Sequence, residues 1–376
     1  MSTGPLAGLR VVELAGIGPA PFCAMLLADL GADVVRVDRP GAAALPGVAG
    51  GDLTNRNKRS VIVDLKNPAG AEVVLRLAAQ ADVLIEGLRP GVTERLGIGP
   101  ADCLARNGKL VYGRMTGWGQ DGPLAQSAGH DIAYIGITGL LHAIGRADGP
   151  PQVPLNLLGD FGGGALYLTV GILAALRSGQ GQVVDAAIVD GAAHLGTMIY
   201  GLVSKGGWQP ARGVNLLDTG APFYDVYETS DGEHMAVGPL EPQFYQEFIR
   251  LLGLADEDLP TQLDIPRWPE LRKRFAEVFA TRSRREWTDV FEGTDACVAP
   301  VLSLAEAPEH PHIAARGTLV ERDGFVQPAP APRFSGTPAS LRTPPAFAGQ
   351  HTRAALADWG FDDIDDLLAQ GAVKEG

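Results

Sequence analysis

Two side chains that could move a proton stand where the sequence predicts the start of a helix. His130 follows a glycine-rich segment in the run Gly129-His130-Asp131, and Asp160 precedes three consecutive glycines at 162–164. Histidine and carboxylate side chains are the usual general acids and bases, and the free N–H groups at a helix start favour negative charge. Residue type and placement together indicate a site at which a proton is transferred beside a developing anion.

Each of these two residues also has a purely structural explanation. Asp160 is predicted to be the N-cap of a helix that runs to about Leu176, and a lone histidine at a helix start is often a cap or a packed side chain. Capping does not explain the three glycines, because each costs a helix about 1 kcal/mol relative to alanine. We therefore expect these glycines to let a ligand approach the helix N-terminus.

Basic side chains are concentrated in one part of a chain that is acidic overall, with 31 Lys and Arg, 44 Asp and Glu and a net charge of −13. The basic cluster consists of Arg36, Arg39, Arg56, Lys58, Arg59, Lys66, Arg89 and Arg95. An ordinary solvated surface is the competing interpretation. Arg39 and Arg89 each follow a predicted strand, however, and open α/β sheets bind ligands at that edge. Basic residues there suit a phosphate-bearing ligand.

Several other chemistries lack the residues that they need. Gly16-Ile17-Gly18 matches half of a dinucleotide-binding fingerprint, but Pro21 replaces the third glycine, which favours a plain tight turn. No Walker A sequence is present, and three cysteines give neither a disulfide framework nor a zinc pattern. The acidic balance argues against nucleic-acid binding, and no signal peptide or long apolar stretch is found. We expect a cytoplasmic protein that binds no metal and no membrane.

Strand and helix patterns alternate over the first 190 residues or so. Short buried strands are predicted at 9–14, 34–37, 60–65, 82–85 and 110–112, with helices between them and a small-residue loop at 41–52. Asn67 and Pro68 have the types expected at the N-cap and first position of a helix. This alternation predicts a doubly wound α/β domain with a parallel sheet.

The pattern changes near Tyr224. Two strand-like runs flank an Asp231-Gly232 turn, which is typical of a β-hairpin, and helices are predicted near 243–252, 269–280 and 285–291. Prolines at 327–345 predict an extended strap, and the acidic segment 358–366 predicts a solvated terminal helix. A second, smaller α+β domain is therefore expected.

Several segments resemble the family III CoA-transferases, the CaiB/BaiF superfamily. The segments are Leu-Arg-Val-Val-Glu-Leu from residue 9, Asp-Leu-Gly-Ala-Asp-Val-Val-Arg-Val-Asp-Arg-Pro from residue 29, Asn-Arg-Asn-Lys-Arg-Ser from residue 55 and Asp-Val-Leu-Ile-Glu from residue 82. Three more are similar to the α-methylacyl-CoA racemase branch: Ala-Gly-His-Asp from residue 128, Gly-Asp-Phe-Gly-Gly-Gly from residue 159 and Glu-Pro-Gln-Phe-Tyr from residue 241. The resemblance extends from about residue 5 to 345.

The resemblance implies an α/β fold with a Rossmann-like large domain and a smaller α+β domain, in an interlocked homodimer. The large, CoA-binding domain would comprise 1–190 and 345–376 and the small domain 225–315, joined by linkers at 191–224 and 316–344. Each active site would lie between the large domain of one subunit and the small domain of the other.

The resemblance also assigns roles to individual residues. The catalytic residues would be His130, Asp160 and the small-domain Glu241, which would orient the histidine. The positions in contact with CoA would be Arg39, Val63, Asp64, Leu65, Lys66, Gly87, Leu88, Arg89, Arg95, Gly129, Asp131 and Tyr134. No metal or cofactor is implied, since coenzyme A is part of the substrate.

The implied reaction interconverts (2R)- and (2S)-2-methylacyl-CoA through an enolate, which requires a base on each face of the α-carbon. The main alternative is a CoA-transferase in which Asp160 attacks the thioester and forms a mixed anhydride; a CoA-binding protein without activity is a third interpretation. His130 favours the racemase, because a transferase needs no base there. The acyl chain is not fixed by the sequence, and a loose apolar surface for it is expected from Leu195, Met198, Leu202, Leu216 and Leu217.

Overall fold

Strands and helices alternate through the first half of the computed structural model, which describes residues 3–41 and 51–376. In chain order the strands are β1 (Arg10–Leu14), β2 (Asp33–Asp38), β3 (Lys58–Val63), β4 (Val83–Glu86), β5 (Val111–Thr116), β6 (Gln182–Ala187), β7 (Asp225–Glu228), β8 (His234–Val237), β9 (Val298–Pro300), β10 (Leu319–Arg322), β11 (Phe325–Pro328) and β12 (Val373–Lys374).

The α-helices, again in chain order, are α1 (Pro19–Asp29), α2 (Pro68–Gln80), α3 (Val92–Arg95), α4 (Pro100–Arg106), α5 (Asp131–Ile137), α6 (Leu140–Ala143), α7 (Leu166–Ser178), α8 (Ile188–Leu195), α9 (Thr197–Ser204), α10 (Pro242–Leu251), α11 (Trp268–Phe279), α12 (Arg284–Phe291), α13 (Pro311–Arg316), α14 (Thr352–Asp358) and α15 (Ile364–Ala369). A π-helix, Leu157–Ala165, continues directly into α7, and short 3₁₀ helices span Leu53–Asn55, Ile265–Arg267 and Ala307–Glu309.

The largest sheet has seven strands in the order β12-β3-β2-β1-β4-β5-β6. All of its neighbouring strands are parallel except β12, which pairs antiparallel with β3. The prediction of a doubly wound parallel sheet is thus confirmed. Its strand order changes direction between β1 and β4, and ligands of such sheets bind in the crevice outside the carboxyl ends of the strands at this switch point.

Helices cover both faces of this sheet, which explains why its strands read as nearly continuous apolar runs. Successive side chains of β1 point to opposite faces: Val12 packs in the cluster that includes α2 and α14, and Val11 packs in the cluster that includes α1 and α7. Asn67 caps α2 by accepting the Ala69 N–H at 3.0 Å, as its sequence predicts.

The chain divides into two compact units. The first comprises Met1–Thr138, Leu155–Leu195 and Ala315–Gly376, and the second comprises Gly139–Pro154 and Gly196–Ala314. In the second unit β7, β8 and β9 form an antiparallel sheet over a core of aromatic side chains from α10, α11 and α12. The predicted hairpin and the three helices that follow it are confirmed, whereas the domain and linker boundaries stay a prediction.

The C-terminal segment is not the solvated helix that its acidic residues suggest. It forms α14, α15 and β12, and Trp359 is fully buried and donates its indole N–H to Asp33 at 2.9 Å. Apolar residues alternate with the acidic ones here, so one side of the segment is buried against the sheet while the other side is exposed. Residues 42–50 of the predicted loop lie outside the described part of the chain.

The helical run Leu157–Ser178 is long and apolar enough to cross a membrane by length and composition alone. Leu168 and Ile172 in this run are fully buried in the same cluster as Val111 of β5. Packing against the sheet accounts for the apolar residues on the buried side of the run, whereas Leu157, Leu166 and Val170 are exposed.

Candidate active site

A cavity of about 570 Å³ opens at the switch point of the large sheet. Its walls come from segments at the carboxyl ends of three strands: Ile17–Ala20 after β1, Gly87–Pro90 after β4 and Thr116–Trp118 at the end of β5. Further lining residues are His130, Tyr134, Asn156, Asp160 and Ile188. The cavity therefore lies where parallel sheets of this order bind their ligands.

His130 is held at the cavity by the turn before α5. It is the N-cap residue of that helix in extended conformation, and its side chain is exposed. The Tyr134 hydroxyl donates to the Gly129 carbonyl, and the Tyr134 ring packs edge-on against Trp118 with 4.7 Å between centroids. A Cβ on Gly117 would lie 2.0 Å from the Tyr134 ring, so glycine at 117 makes room for the aromatic pair that supports the histidine.

Asp160 lies inside the π-helix Leu157–Ala165 and is not the N-cap that the sequence predicts. The helix begins at Leu157, one turn earlier than predicted, and Asn156 is the residue before it. The Asp160 carboxylate accepts from the Asn156 side-chain amide at 3.4 Å, and its Oδ2 would lie 3.3 Å from a Cβ on Gly18. The carboxylate thus faces the turn between β1 and α1, on the wall of the cavity.

The three glycines after Asp160 have a different role from the one expected. A Cβ on Gly163 would lie 2.5 Å from the backbone nitrogen of Ala192, and a Cβ on Gly164 would press on Ile188, Met115 and Pro19. These glycines therefore allow close packing of the π-helix against α8 and the sheet. Nor is the N–H of Asp160 a free donor, because it already bonds to Asp131 Oδ2 at 2.6 Å.

The surroundings of Asp160 raise its pKa above the ordinary value for an aspartic acid. Burial is the largest cause, and the nearby Asp131 carboxylate raises the pKa further. The Asn156 hydrogen bond and the charge of His130 act in the opposite direction. A carboxyl group whose pKa is moved toward neutrality is better able both to accept and to return a proton.

Half of the predicted basic cluster is structural. The four inward-facing residues form ion pairs within the first unit: Arg36 with Asp38, Arg56 with Asp29, Lys58 with Glu13 and Arg59 with Asp33. These four residues therefore form neither the solvated surface nor the ligand-binding patch that the sequence allowed, because their side chains are buried or half-buried against acidic partners.

The other four basic residues are exposed: Arg39, Lys66, Arg89 and Arg95. None of them forms an ion pair with another described residue, so their charges are available to a ligand. Arg39 follows β2, Lys66 lies shortly after β3 and Arg89 follows β4, which places all three at the carboxyl edge of the sheet. Arg89 lines the cavity itself.

The Gly87–Arg89 loop is fixed by a buried network that sequence analysis missed. Glu86 Oε2 accepts the Leu88 N–H at 2.7 Å, and Glu86 Oε1 accepts from Arg114 Nε at 2.9 Å. Arg114 also pairs with Glu94 at 2.8 Å. The available signal was an acidic residue at the end of an apolar strand, where a buried charge requires a partner.

The cavity unites only part of the predicted site. Its lining includes Gly87, Leu88, Arg89, Gly129, His130, Tyr134 and Asp160. The predicted residues outside the lining are Arg39, Val63, Asp64, Leu65, Lys66, Arg95 and Asp131. Val63 is buried in the core and Asp64 accepts the Lys66 N–H at 3.0 Å. Sequence analysis missed Trp118 and Asn156; the available signals were the glycine-rich segment around Trp118 and the position of Asn156 four residues before Asp160.

Glu241 belongs to the second unit, where it is the exposed N-cap residue of α10. Proline at the first helical position explains why α10 begins there. The pairing of Glu241 with the histidine stays a prediction. Of the expected acyl-chain surface, Leu195, Met198 and Leu216 are exposed. Among the described residues no group of three or more His, Cys, Asp or Glu side chains could hold a metal ion.

The chain is similar to proteins of known family along nearly its whole length. The model of CoA-transferase family III matches residues 6–352. The chain is 48% identical to alpha-methylacyl-CoA racemase of Mus musculus over 96% of this chain and 95% of that protein, and 47% identical to alpha-methylacyl-CoA racemase of Homo sapiens over 98% and 99%. The crystal structure of a CaiB/BaiF family protein from Brucella suis has a TM-score of 0.81 and 27% identity, covering 95% of this chain and 100% of that one. The chain is therefore a member of CoA-transferase family III.

Proposed function

We propose that this protein is an α-methylacyl-CoA racemase that interconverts (2R)- and (2S)-2-methylacyl-CoA thioesters by proton transfer. The observation that carries the proposal is that His130 and Asp160 line one cavity, at the ligand-binding edge of the sheet. The two relatives nearly half identical to this chain bear the same name.

Inversion at the α-carbon needs two proton-transfer groups on opposite faces. One removes the α-proton, the thioester becomes a planar enolate, and the other returns a proton to the opposite face. His130 serves the S substrate as base and Asp160 serves the R substrate. The group that removes the proton in one direction ends the reaction protonated. It is then in the state that the reverse reaction needs in its acid.

The CoA moiety is held by charge at the edge of the sheet. Arg39, Lys66 and Arg89 are exposed there, and Arg95 is exposed on α3; none of the four has an ion-pair partner among the described residues, and the chain carries a net charge of −13. A local basic patch is what a strongly acidic protein requires to bind a phosphate-rich ligand. The Glu86–Arg114 network keeps the Gly87–Arg89 loop in place for this contact.

The active form is a homodimer in which Glu241 of the partner subunit orients His130. In the first unit Ile132, Ile137, Leu166 and Val170 are large apolar side chains that are 47–66% exposed, more than an isolated subunit needs. Three free cysteines, of which Cys23 and Cys103 are buried, suit a reducing cytoplasm.

The test uses one enantiomer of a 2-methylacyl-CoA, without any acceptor acid, in deuterated buffer. The proposal predicts a mixture of the two enantiomers with deuterium at the α-carbon. Proton NMR measures the deuterium content, and chiral chromatography measures the ratio of enantiomers. Unchanged substrate without deuterium would contradict it and would leave a CoA-binding protein without this activity.

A CoA-transferase is the second candidate, favoured by the family to which the chain belongs. Its reaction would begin with attack of the Asp160 carboxylate on the thioester carbonyl, which forms a mixed anhydride and releases CoA thiolate. Addition of a free carboxylic acid distinguishes the two. Transfer of CoA to the added acid, together with a mass increase at Asp160, would support the transferase and contradict the racemase.

A further inference from the structure

Asp131 joins the two segments that carry the proposed proton-transfer groups. It directly follows His130 as the first residue of α5, and its Oδ2 accepts the backbone N–H of Asp160 at 2.6 Å. Its residue is only 5% exposed. The carboxylate is buried between the two segments and does not line the cavity, although its family counterpart is placed among the CoA contacts.

The fold makes room for this contact at Gly159. A Cβ on Gly159 would lie 2.4 Å from Asp131 Oδ2. Any larger residue at 159 would push the carboxylate away from the Asp160 N–H. The glycine before Asp160 is therefore required by Asp131, and its backbone does not adopt a left-handed conformation that would itself demand glycine.

The charge of Asp131 is more than this hydrogen bond needs. Its other oxygen, Oδ1, is buried and has no hydrogen-bond partner in the described part of the chain. An asparagine could accept the same N–H with a neutral amide in place of the charged oxygen, and burying an unsatisfied charged group costs more than burying an unsatisfied neutral one. A cost of this kind at a proton-transfer site points to a use for the charge itself.

We propose that Asp131 is a positioning residue that fixes the backbone of Asp160 relative to His130 and places a negative charge beside the Asp160 carboxyl. This inference rests on the proposed role of Asp160 as a base. The negative charge disfavours ionisation of Asp160, so that the group holds a proton long enough to return it to the enolate.

The groups that act on Asp160 are few and can be named. His130, Asp131 and Tyr134 face it from α5 and its cap, Asn156 faces it from its own helix, and the Gly18 turn offers only backbone. No charged group of α1 or α8 among the described residues contributes to its pKa shift. Of the residues named, Asp131 alone raises the Asp160 pKa by its charge, while His130 lowers it.

The test compares the pH dependence of α-proton exchange from the R substrate in wild type and Asp131→Asn. Exchange requires ionised Asp160, so kcat/KM rises with pH through the Asp160 pKa. Removing the negative neighbour lowers that pKa, and the acid limb is expected to move to lower pH by about one unit. KM is expected to stay within about twofold of wild type, because Asp131 does not line the cavity.

Asp82→Asn is the matched control. Asp82 Oδ2 also accepts a backbone N–H, that of Arg10 at 2.8 Å, but it lies outside the cavity. The Asp82→Asn substitution removes one negative charge from the same unit, and it is expected to leave the acid limb of the kcat/KM profile unchanged. An unshifted acid limb in Asp131→Asn, or an equal shift in both variants, would overturn the proposal.

Gly159→Ala provides a second variant that retains every charge. Its Cβ displaces the Asp131 carboxylate, so kcat is expected to fall at least tenfold with little change in KM; wild-type kcat would show that the contact is not needed. Asp160→Asn separates the two levels of the argument. If it racemises both enantiomers at the wild-type rate, Asp160 is not one of the two bases and the inference about Asp131 fails with it, whereas the proposed function fails only if the wild-type protein does not racemise.

Discussion

The Arg114 guanidinium and the Glu86 carboxylate meet at 2.9 Å inside the first unit, directly before the Gly87–Arg89 loop. Burial raises the pKa of Glu86, while the Leu88 N–H and Arg114 stabilise its ionised form. The pair therefore holds the loop through a carboxylate that has its own hydrogen bonds satisfied on both oxygens.

Glu86→Gln is expected to weaken substrate binding, although Glu86 does not line the cavity. The amide keeps the size of the side chain but loses the charge that Arg114 and the Leu88 N–H share, and the loop loosens. The loss of a charge-assisted hydrogen bond corresponds to about a tenfold rise in KM. Steady-state kinetics that show a raised KM and a kcat close to wild type would confirm this. An unchanged KM would show that the loop keeps its conformation without the Glu86 charge.

Arg39→Ala and Arg89→Ala are expected to raise KM far more than they lower kcat. Contacts to phosphate are the same in the ground state and the transition state, so their loss does not slow the bound substrate. Arg106→Ala is the control, since Arg106 is an exposed arginine on α4 that pairs with Glu72. A fall in kcat at constant KM would instead place Arg39 and Arg89 at the reacting atoms.

Replacing either proposed base alone is expected to abolish inversion without abolishing exchange. Asp160→Asn leaves His130 able to remove and return a proton on its own face, so the S substrate gains deuterium and keeps its configuration. His130→Ala is expected to show the corresponding behaviour with the R substrate. Proton NMR of each enantiomer in deuterated buffer measures both, and inversion at the wild-type rate by either variant would refute the assignment.

Lys58→Met is expected to destabilise the fold by about 3–5 kcal/mol, because it leaves a buried charge without its partner. Lys58 Nζ lies 2.6 Å from Glu13 Oε2, and both side chains are fully buried. The double variant Glu13→Leu with Lys58→Met is expected to recover most of the loss, since neither charge of this pair is then buried. Urea unfolding gives the free energies; equal stability of the two variants would argue against this interpretation.

Sedimentation is expected to show a dimer in which mixed active sites complement each other. If Glu241 acts on the partner's His130, inactive Glu241→Gln and inactive His130→Ala subunits share one intact site per heterodimer. Mixing after partial unfolding and refolding is then expected to restore about a quarter of the wild-type activity by random pairing. A fully active 39.4 kDa monomer would contradict the dimer.

Local patterns predicted the parallel sheet, the α2 cap at Asn67 and the hairpin of the second unit, because each depends on residues close in sequence. Asp160 was misplaced by one turn for a physical reason: its N–H is bonded by Asp131, which lies 29 positions earlier. Lys58 was placed in a basic cluster, and its burial in an ion pair was missed, because its partner Glu13 is on another strand, 45 positions away. Pairings across such separations leave no signal in local residue spacing.

The glycines after Asp160 show the same limit. Three glycines were correctly predicted to cost an ordinary helix start too much stability. The reason for their presence is the backbone of α8, about 30 residues later in the chain. Residue type indicated that something approaches closely at Gly163, and only the fold shows that it is the chain itself. The histidine and the aspartate were found because proton transfer restricts the choice of side chain more than packing does.

The strand order around β1 and β4 determines when the pocket forms as the protein folds. One wall of the cavity follows β1 and other walls lie at the ends of β4 and β5, so a folding intermediate with only β1, β2 and β3 lacks most of the pocket. Ligand that binds only the finished sheet stabilises every strand together. Acyl-CoA is therefore expected to slow amide hydrogen exchange across the whole sheet, including strands that it never touches.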